Sequence, residues 1–184
     1  MSRYLYLDCE ATPPGQQPKD PEALAEWVKL AVRPGSARIV CMSYALDTGE
    51  VFTVETPQAI AQVLHDYKGA RWVAHYGIRY DFPLIYANLV RAKSRGAVVR
   101  DLAARMTAKP WETSLVDTSR VGGAYVKLVE YAEMMGTPTK SDDIGARVYE
   151  VWAEDPARVR RYCEGDVLAL RAAHQEALKT GLHQ

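Results

Sequence analysis

Residues 3–10 read Arg-Tyr-Leu-Tyr-Leu-Asp-Cys-Glu, and the fold turns on how this octet is read. Aromatic and aliphatic residues dominate it, which predicts a β-strand, and Pro13, Pro14 and Gly15 stop it. Alternate residues of a strand face opposite sides of the sheet, so Asp8 and Glu10 share one side. Two carboxylates side by side repel. A divalent cation between them removes that cost, because hard oxygen ligands suit Mg²⁺ or Mn²⁺. The alternative is a pair of solvated acids at a strand end. A D-x-E triplet alone is weak evidence, since about one is expected by chance in a chain of this length. Asp20-Pro21-Glu22 is a second one, and it explains itself: Asp20 reads as a helix N-cap and Glu22 as an acid near the positive end of the helix dipole. Asp8 and Glu10 have no such capping role.

Outward from this strand, residues 11–21 form a loop rich in Pro, Gln and Gly. A helix then starts at Pro21, with Leu24, Trp27, Val28 and Ala31 at helical spacing, and Pro34-Gly35 ends it. Residues 38–46 and 50–54 read as strands joined by a hairpin turn at Asp47-Thr48-Gly49. A helix fits 57–67, a short strand 71–75, and a second helix 81–90, with Pro83 tolerated in its first turn. Residues 91–113 show no clear period. Residues 114–118 read as a strand, and helices are expected over about 124–135, 142–153 and 156–179, the last opened by Asp155-Pro156. Three early strands followed by strands alternating with helices predict an α/β domain. Its mixed sheet has antiparallel early strands and then parallel ones, with helices on both faces. The expectation is one domain over 1–184, in which 11–37 is a long insertion between the first two strands.

Composition is consistent with that reading. At 184 residues the chain is about one domain long. With 48% hydrophobic and 25% charged residues it is globular rather than disordered. No apolar run approaches the roughly 18 residues of a membrane span, and Met1 to Glu10 lacks the pattern of a signal peptide. Cys9, Cys41 and Cys163 have no CxxC spacing, which points to reduced thiols and a cytoplasmic protein. Lys+Arg and Asp+Glu are 23 each, so global charge does not argue for or against a nucleic-acid partner.

Two further groups of residues stand out. Tyr162 and Asp166 lie four apart in the last helix, one turn apart on one face. They border the apolar stripe Val159, Cys163, Leu170 and Ala173, so both should face the domain, where a carboxylate needs a partner or a metal. The segment from Arg71 to Tyr86 reads strand, loop, helix, with Asp81 at the helix start. On spacing alone Asp81 is as well explained as a simple N-cap. Asp117 is an attractive supporting acid, while Cys9 and Cys163 read as small core residues.

Taken in order, a strand-borne D-x-E, an H-x₄-[FY]-D segment opening a helix and Y-x₃-D in a C-terminal helix resemble the three exonuclease motifs of the DEDD superfamily. These are the proofreading-type 3′–5′ exonucleases of ribonuclease H-like fold. Tyr162 at the third motif places the resemblance in the DEDDy branch. The stretch from Ser141 to Leu170 looks closest to the exonuclease domains of family B DNA polymerases and their stand-alone relatives.

The resemblance implies a metal-dependent 3′–5′ exonuclease acting on single strands, with DNA favoured and RNA equally compatible with the motifs, and releasing nucleoside 5′-monophosphates. It makes Asp8, Glu10, Asp81 and Asp166 the ligands of two divalent cations, Mg²⁺ or Mn²⁺, and Tyr162 the residue that orients the attacking water. It further implies either a free-standing nuclease or a separate proofreading subunit of a polymerase or replication complex. A nuclease-fold binding module without activity is the alternative, and its mark would be a missing acid; all four acids are present. One departure concerns the second motif, where the family has Asn directly after the position of His75 and this chain has Tyr76. His75 and Tyr76 are candidate nucleic-acid contacts. So are Arg95 and Arg100, which belong to a basic run over 91–109 that holds Arg91, Lys93, Arg105 and Lys109 against one acid, Asp101. Trp111 just beyond the run offers a ring for base stacking. The insertion over 11–37 reads either as a wall of the substrate cleft, a partner surface or plain surface.

Overall fold

The structure is a computed structural model that describes residues 4–94, 96–139 and 144–182. A five-stranded sheet has the order β3-β2-β1-β4-β5, formed by β1 (Tyr4–Thr12), β2 (Arg38–Leu46), β3 (Val51–Val54), β4 (Arg71–Ala74) and β5 (Leu115–Asp117). β1 pairs antiparallel with β2 and β2 with β3, whereas β4 runs parallel to β1 and β5 parallel to β4. The mixed sheet expected from the sequence is therefore present.

Period-2 alternation in β1 sorts its side chains between two layers. Leu5, Leu7, Cys9 and Ala11 pack in one core with Phe82, Ile85 and Leu102. These come from α3 (Asp81–Arg91) and α4 (Gly96–Thr107), and α2 (Pro57–Asp66) joins them through Ile60 and Leu64. Tyr4 and Tyr6 face the other way, onto Val167 and Leu170 of α7 (Pro156–Thr180). That long helix is held to the β2–β3 turn by Arg171, which donates to the carbonyls of Leu46 (3.1 Å) and Gly49 (2.9 Å). Buried His174 joins the Tyr6 hydroxyl at 3.0 Å and fixes the helix on β1.

The helix starts follow their caps. Asp20 accepts from Ala23 N–H at 2.8 Å ahead of α1 (Pro21–Val28), so the second D-x-E is a capping pair. Asp155 does the same for Arg158 N–H at 3.0 Å at the head of α7.

Two expected helices differ. The helix over 124–135 begins only at α5 (Leu128–Met134). Residues 120–125 instead form a hairpin of β6 (Arg120–Val121) and β7 (Ala124–Tyr125). The reason is local: Gly122 (φ 58°) and Gly123 (φ 87°) both take the left-handed backbone that a tight hairpin turn requires. In place of one helix over 142–153 there is a 3₁₀ turn at Gly145–Arg147 and then α6 (Val148–Glu154), while 142–143 lie outside the described residues. The unreadable stretch 91–113 contains α4. No helix among the described residues is long and apolar enough to cross a membrane.

Candidate active site

The acids of β1 sit where the parallel pair β1–β4 ends. β4 stops at Ala74, level with the middle of β1, and the chain turns through residues 75–80 into α3. The carboxyl ends of parallel strands are where open α/β sheets present ligand sites. Asp8 and Glu10 project from this end toward α7, on the face of Tyr4 and Tyr6, opposite Ser43 and Cys41 of β2. A register shift between Glu10 and Ala11 bends the strand just past them.

Asp81 arrives from α3. Its side chain does not cap its own helix; Oδ1 accepts from the backbone N–H of Cys9 at 3.1 Å. That bond ties the helix start between the two acids of β1. Asp81 is 3% exposed, and burial together with the charge of Asp8 holds its carboxyl well above the ordinary range. The N–H groups of Cys9 and of Asp81 itself pull the other way.

Tyr162 and Asp166 come from α7, both buried. A polar ladder sets the helix register: Ser43 Oγ meets Thr53 Oγ1 at 2.8 Å, and Thr53 Oγ1 donates to Glu164 Oε1 at 2.7 Å. Glu10 is hemmed in by this arrangement. Burial, then Asp8, then Asp166 push its carboxyl well above the usual range. The structure thus brings Asp8, Glu10, Asp81 and Asp166 into one electrostatic neighbourhood.

The sequence does not announce Cys163. Its Sγ lies 3.4 Å from both the carbonyl and Oδ2 of Asp8, and one ligand atom each of Asp8, Glu10 and Cys163 fall within 4.8 Å of one another. Burial, a bond to Cys41 and the charge of Asp8 raise the thiol pKa, so Cys163 stays protonated and donates to Asp8. The carboxylate oxygens are hard and crowded together, a donor set that fits Mg²⁺ or Mn²⁺ better than a thiophilic metal.

Glu10 and Tyr162 also line a cavity of about 320 Å³, shared with Tyr80, Tyr149, Val28 and Val32. Two of these residues belong to the 11–37 insertion, which is stitched over the site. Tyr80 donates to Ala31 O at 2.7 Å, Trp27 donates to Pro14 O at 2.7 Å, and Arg91 donates to Gly35 O at 2.7 Å.

The candidate nucleic-acid contacts are more scattered. His75 is engaged on both ring nitrogens, with Thr118 Oγ1 (2.9 Å) and the carbonyl of Val126 (2.9 Å). The carbonyl can only accept, so Nε2 carries the proton. Tyr76 is 41% exposed at φ 64°. Arg95 lies outside the described residues. Arg100 is exposed on α4, which packs on the sheet side away from Asp8 and Glu10. Other members of the basic run do structural work. Arg91 holds the insertion, and Arg105 stands 3.9 Å over the Trp72 ring while donating to Asp101 Oδ2 at 3.0 Å. Asp117 is the loop's organiser: its carboxylate accepts from the N–H groups of Tyr76 (3.0 Å), Ile78 (3.1 Å) and Ser119 (2.9 Å).

A ribonuclease H-like sheet with half-buried acids on its central strand, met by buried acids from two helices, is the architecture of an exonuclease-like domain. Residues 46–171 match the model of a family described as predicted 3′–5′ exonucleases related to the exonuclease domain of PolB, and the chain belongs to that family. Among solved structures, the chain is similar to the family B DNA polymerase from the hyperthermophilic archaeon Pyrobaculum calidifontis, with a TM-score of 0.67 and 15% identity. The likeness covers 97% of this chain and 24% of the polymerase, so the chain spans about a quarter of that protein's length. No curated protein matches the chain.

Proposed function

We propose that this protein is a metal-dependent 3′–5′ exonuclease that hydrolyses single-stranded nucleic acid, DNA in preference to RNA, to nucleoside 5′-monophosphates. The observation that carries the reading is the convergence of Asp8, Glu10, Asp81 and Asp166, from three separate elements, around a point where burial and the neighbouring carboxylates hold Glu10 and Asp81 above the normal carboxylate range. Such a cluster is costly for the fold by itself and is relieved by divalent cations. The four acids would hold two of them. Bound there, the ions supply Lewis-acid stabilisation of charge on the phosphoryl oxygens and lower the pKa of water.

The chain's own residues supply position and exclusion of solvent. The cavity beside Glu10 and Tyr162 has apolar walls from Val28 and Val32 and takes the terminal nucleoside. Tyr162, 8% exposed on α7, sets its hydroxyl toward the water that attacks the last phosphorus. The new P–O bond forms as the P–O3′ bond breaks. The 3′ oxygen takes up a proton, leaving a shortened strand with a free 3′-hydroxyl and a 5′-monophosphate. Preference for DNA draws support from the polymerase neighbour.

The test is to incubate the purified protein with 3′-labelled and 5′-labelled single strands of DNA and RNA, in Mg²⁺, Mn²⁺ or EDTA. Release of 3′ label as mononucleotide with metal, and none in EDTA, is expected. Undiminished cleavage in EDTA, or loss of 5′ label first, would refute the proposal.

A further inference from the structure

Arg79 and Arg120 both stand over one exposed ring. The guanidinium carbon of Arg79 is 4.7 Å from the Tyr125 centroid and that of Arg120 is 4.5 Å from the same centroid. The two cations are therefore no further apart than the sum of those distances. Neither side chain forms a hydrogen bond or ion pair with any described residue. The ring itself is 43% exposed, and Tyr76, 41% exposed, leans on it at 5.5 Å between centroids.

Two like charges held on one aromatic platform are unfavourable unless the ring or an anion compensates, and a cation–π contact at an exposed site is weak. The cleft between them, about 260 Å³, is bounded by Ile78, Ser119 and Asp117. The acid in its wall does not fill the need. Both Asp117 oxygens are turned to backbone N–H groups, those of Tyr76, Ile78 and Ser119. Those bonds also hold Tyr76 at φ 64°, a left-handed conformation that a bulky residue adopts only under strain and that recurs at ligand clamps. The cleft adjoins the acid cluster, because Arg79 lies two residues before Asp81 and the charge of Asp117 is felt by Asp81.

We infer that the β6–β7 hairpin and the loop before α3 form a two-arginine clamp for the phosphodiester backbone of the strand that feeds the acids, with the exposed Tyr76 ring offered to a base. This rests on the exonuclease reading for its choice of ligand. It moves the nucleic-acid track from the basic run over 91–109 to the loops that follow β4 and β5. Guanidinium forks match phosphate oxygens, and aromatic faces accept any base, so the clamp is independent of sequence.

The experiment measures binding of a fluorescent 20-nucleotide oligothymidylate as a function of salt, in EDTA so that no cleavage intervenes. Wild type is compared with Arg79→Gln/Arg120→Gln and with a charge-matched pair, Lys109→Gln/Lys179→Gln. Loss of two phosphate contacts should lower the log–log salt slope by about 1.4, at about 0.7 per contact for a single strand. An unchanged slope in the arginine pair, or an equal fall in the lysine pair, overturns the clamp. Thermal melting confirms that each variant is folded; all four side chains are exposed. Wild type that binds with a normal slope but never cleaves under Mg²⁺ or Mn²⁺ would sink the exonuclease reading while leaving the clamp standing. Wild type that cleaves, with a slope indifferent to Arg79 and Arg120, would do the reverse.

Discussion

Cys9 donates its backbone N–H to Asp81 Oδ1 at 3.1 Å, across 72 residues of sequence. The bond lies between Asp8 and Glu10 on β1 and joins them to the first residue of α3. A carboxylate that would otherwise cap its own helix is thereby turned into the acid cluster.

Asp81→Asn separates charge from position. The amide oxygen can still accept from Cys9, so the fold should persist, and removing one buried charge from a repelling set should leave the metal-free melting temperature equal or higher. The hydrolysis rate should fall by at least about 10²-fold. Rate and thermal melting on the same sample check this. A near-normal rate would remove Asp81 from the site.

The raised carboxyl groups of Glu10 and Asp81 also set a pH dependence. In the folded state these groups hold protons that the unfolded chain has already lost above its ordinary carboxylate range, about pH 4. Their contribution is full below that pH and is lost as pH rises through the folded values. Metal-free protein should therefore lose melting temperature from about pH 4.5 toward neutrality, relative to Glu10→Gln. Millimolar Mn²⁺ should restore it in wild type by binding only the folded state. Parallel pH profiles for the two proteins in EDTA would contradict the crowding of charge at Glu10.

Tyr162→Phe keeps the ring that lines the cavity and removes the hydroxyl. An orienting or proton-transferring hydroxyl typically contributes about 10²–10⁴-fold, so turnover at saturating substrate should fall within that range with the melting temperature unchanged. Wild-type turnover would reduce Tyr162 to a packing residue.

Gly77, in the loop before Asp81, packs tightly between the end of β4 and the start of α3. A Cβ there would lie 2.5 Å from Ala74 Cβ and 2.9 Å from Phe82 Cε2. Gly77→Ala should cost about 1–3 kcal/mol, and the loop must shift, so activity should fall as well. Denaturant melts and rates measured together test this. A variant as stable as wild type would mean that the loop yields freely.

Much of this was legible because periodicity and punctuation reported it. Asp20-Pro21 and Asp155-Pro156 mark helix starts that the structure keeps, and alternation along residues 3–10 put Asp8 and Glu10 on one side of the sheet, away from Leu5 and Leu7. What escaped was either weakly periodic or long-range. α4 buries only Val98 and Leu102, a stripe too thin to read. β6 and β7 are two residues each, too short to show alternation, and β7 was absorbed into the start of the helix expected over 124–135. Asp117 was visible as a supporting acid, but its partners 39–41 residues away were not, nor was the contact of Cys163 with Asp8 155 residues away, because no local pattern encodes them. The structural part that Arg91 and Arg105 play was not legible either, because charge in a sequence does not reveal that they spend donors on backbone carbonyls.

The central claim is that the acids of β1, α3 and α7 hydrolyse a strand from its 3′ end. It is tested most directly by following a 5′-labelled single strand over time with Mn²⁺, using wild type, Asp8→Asn and Asp20→Asn side by side. Wild type and Asp20→Asn should give the same ladder, shortening one nucleotide at a time from the 3′ end, because Asn caps α1 about as well as Asp. Asp8→Asn should give at least about 10²-fold less product. Equal ladders from Asp8→Asn and wild type would contradict the account.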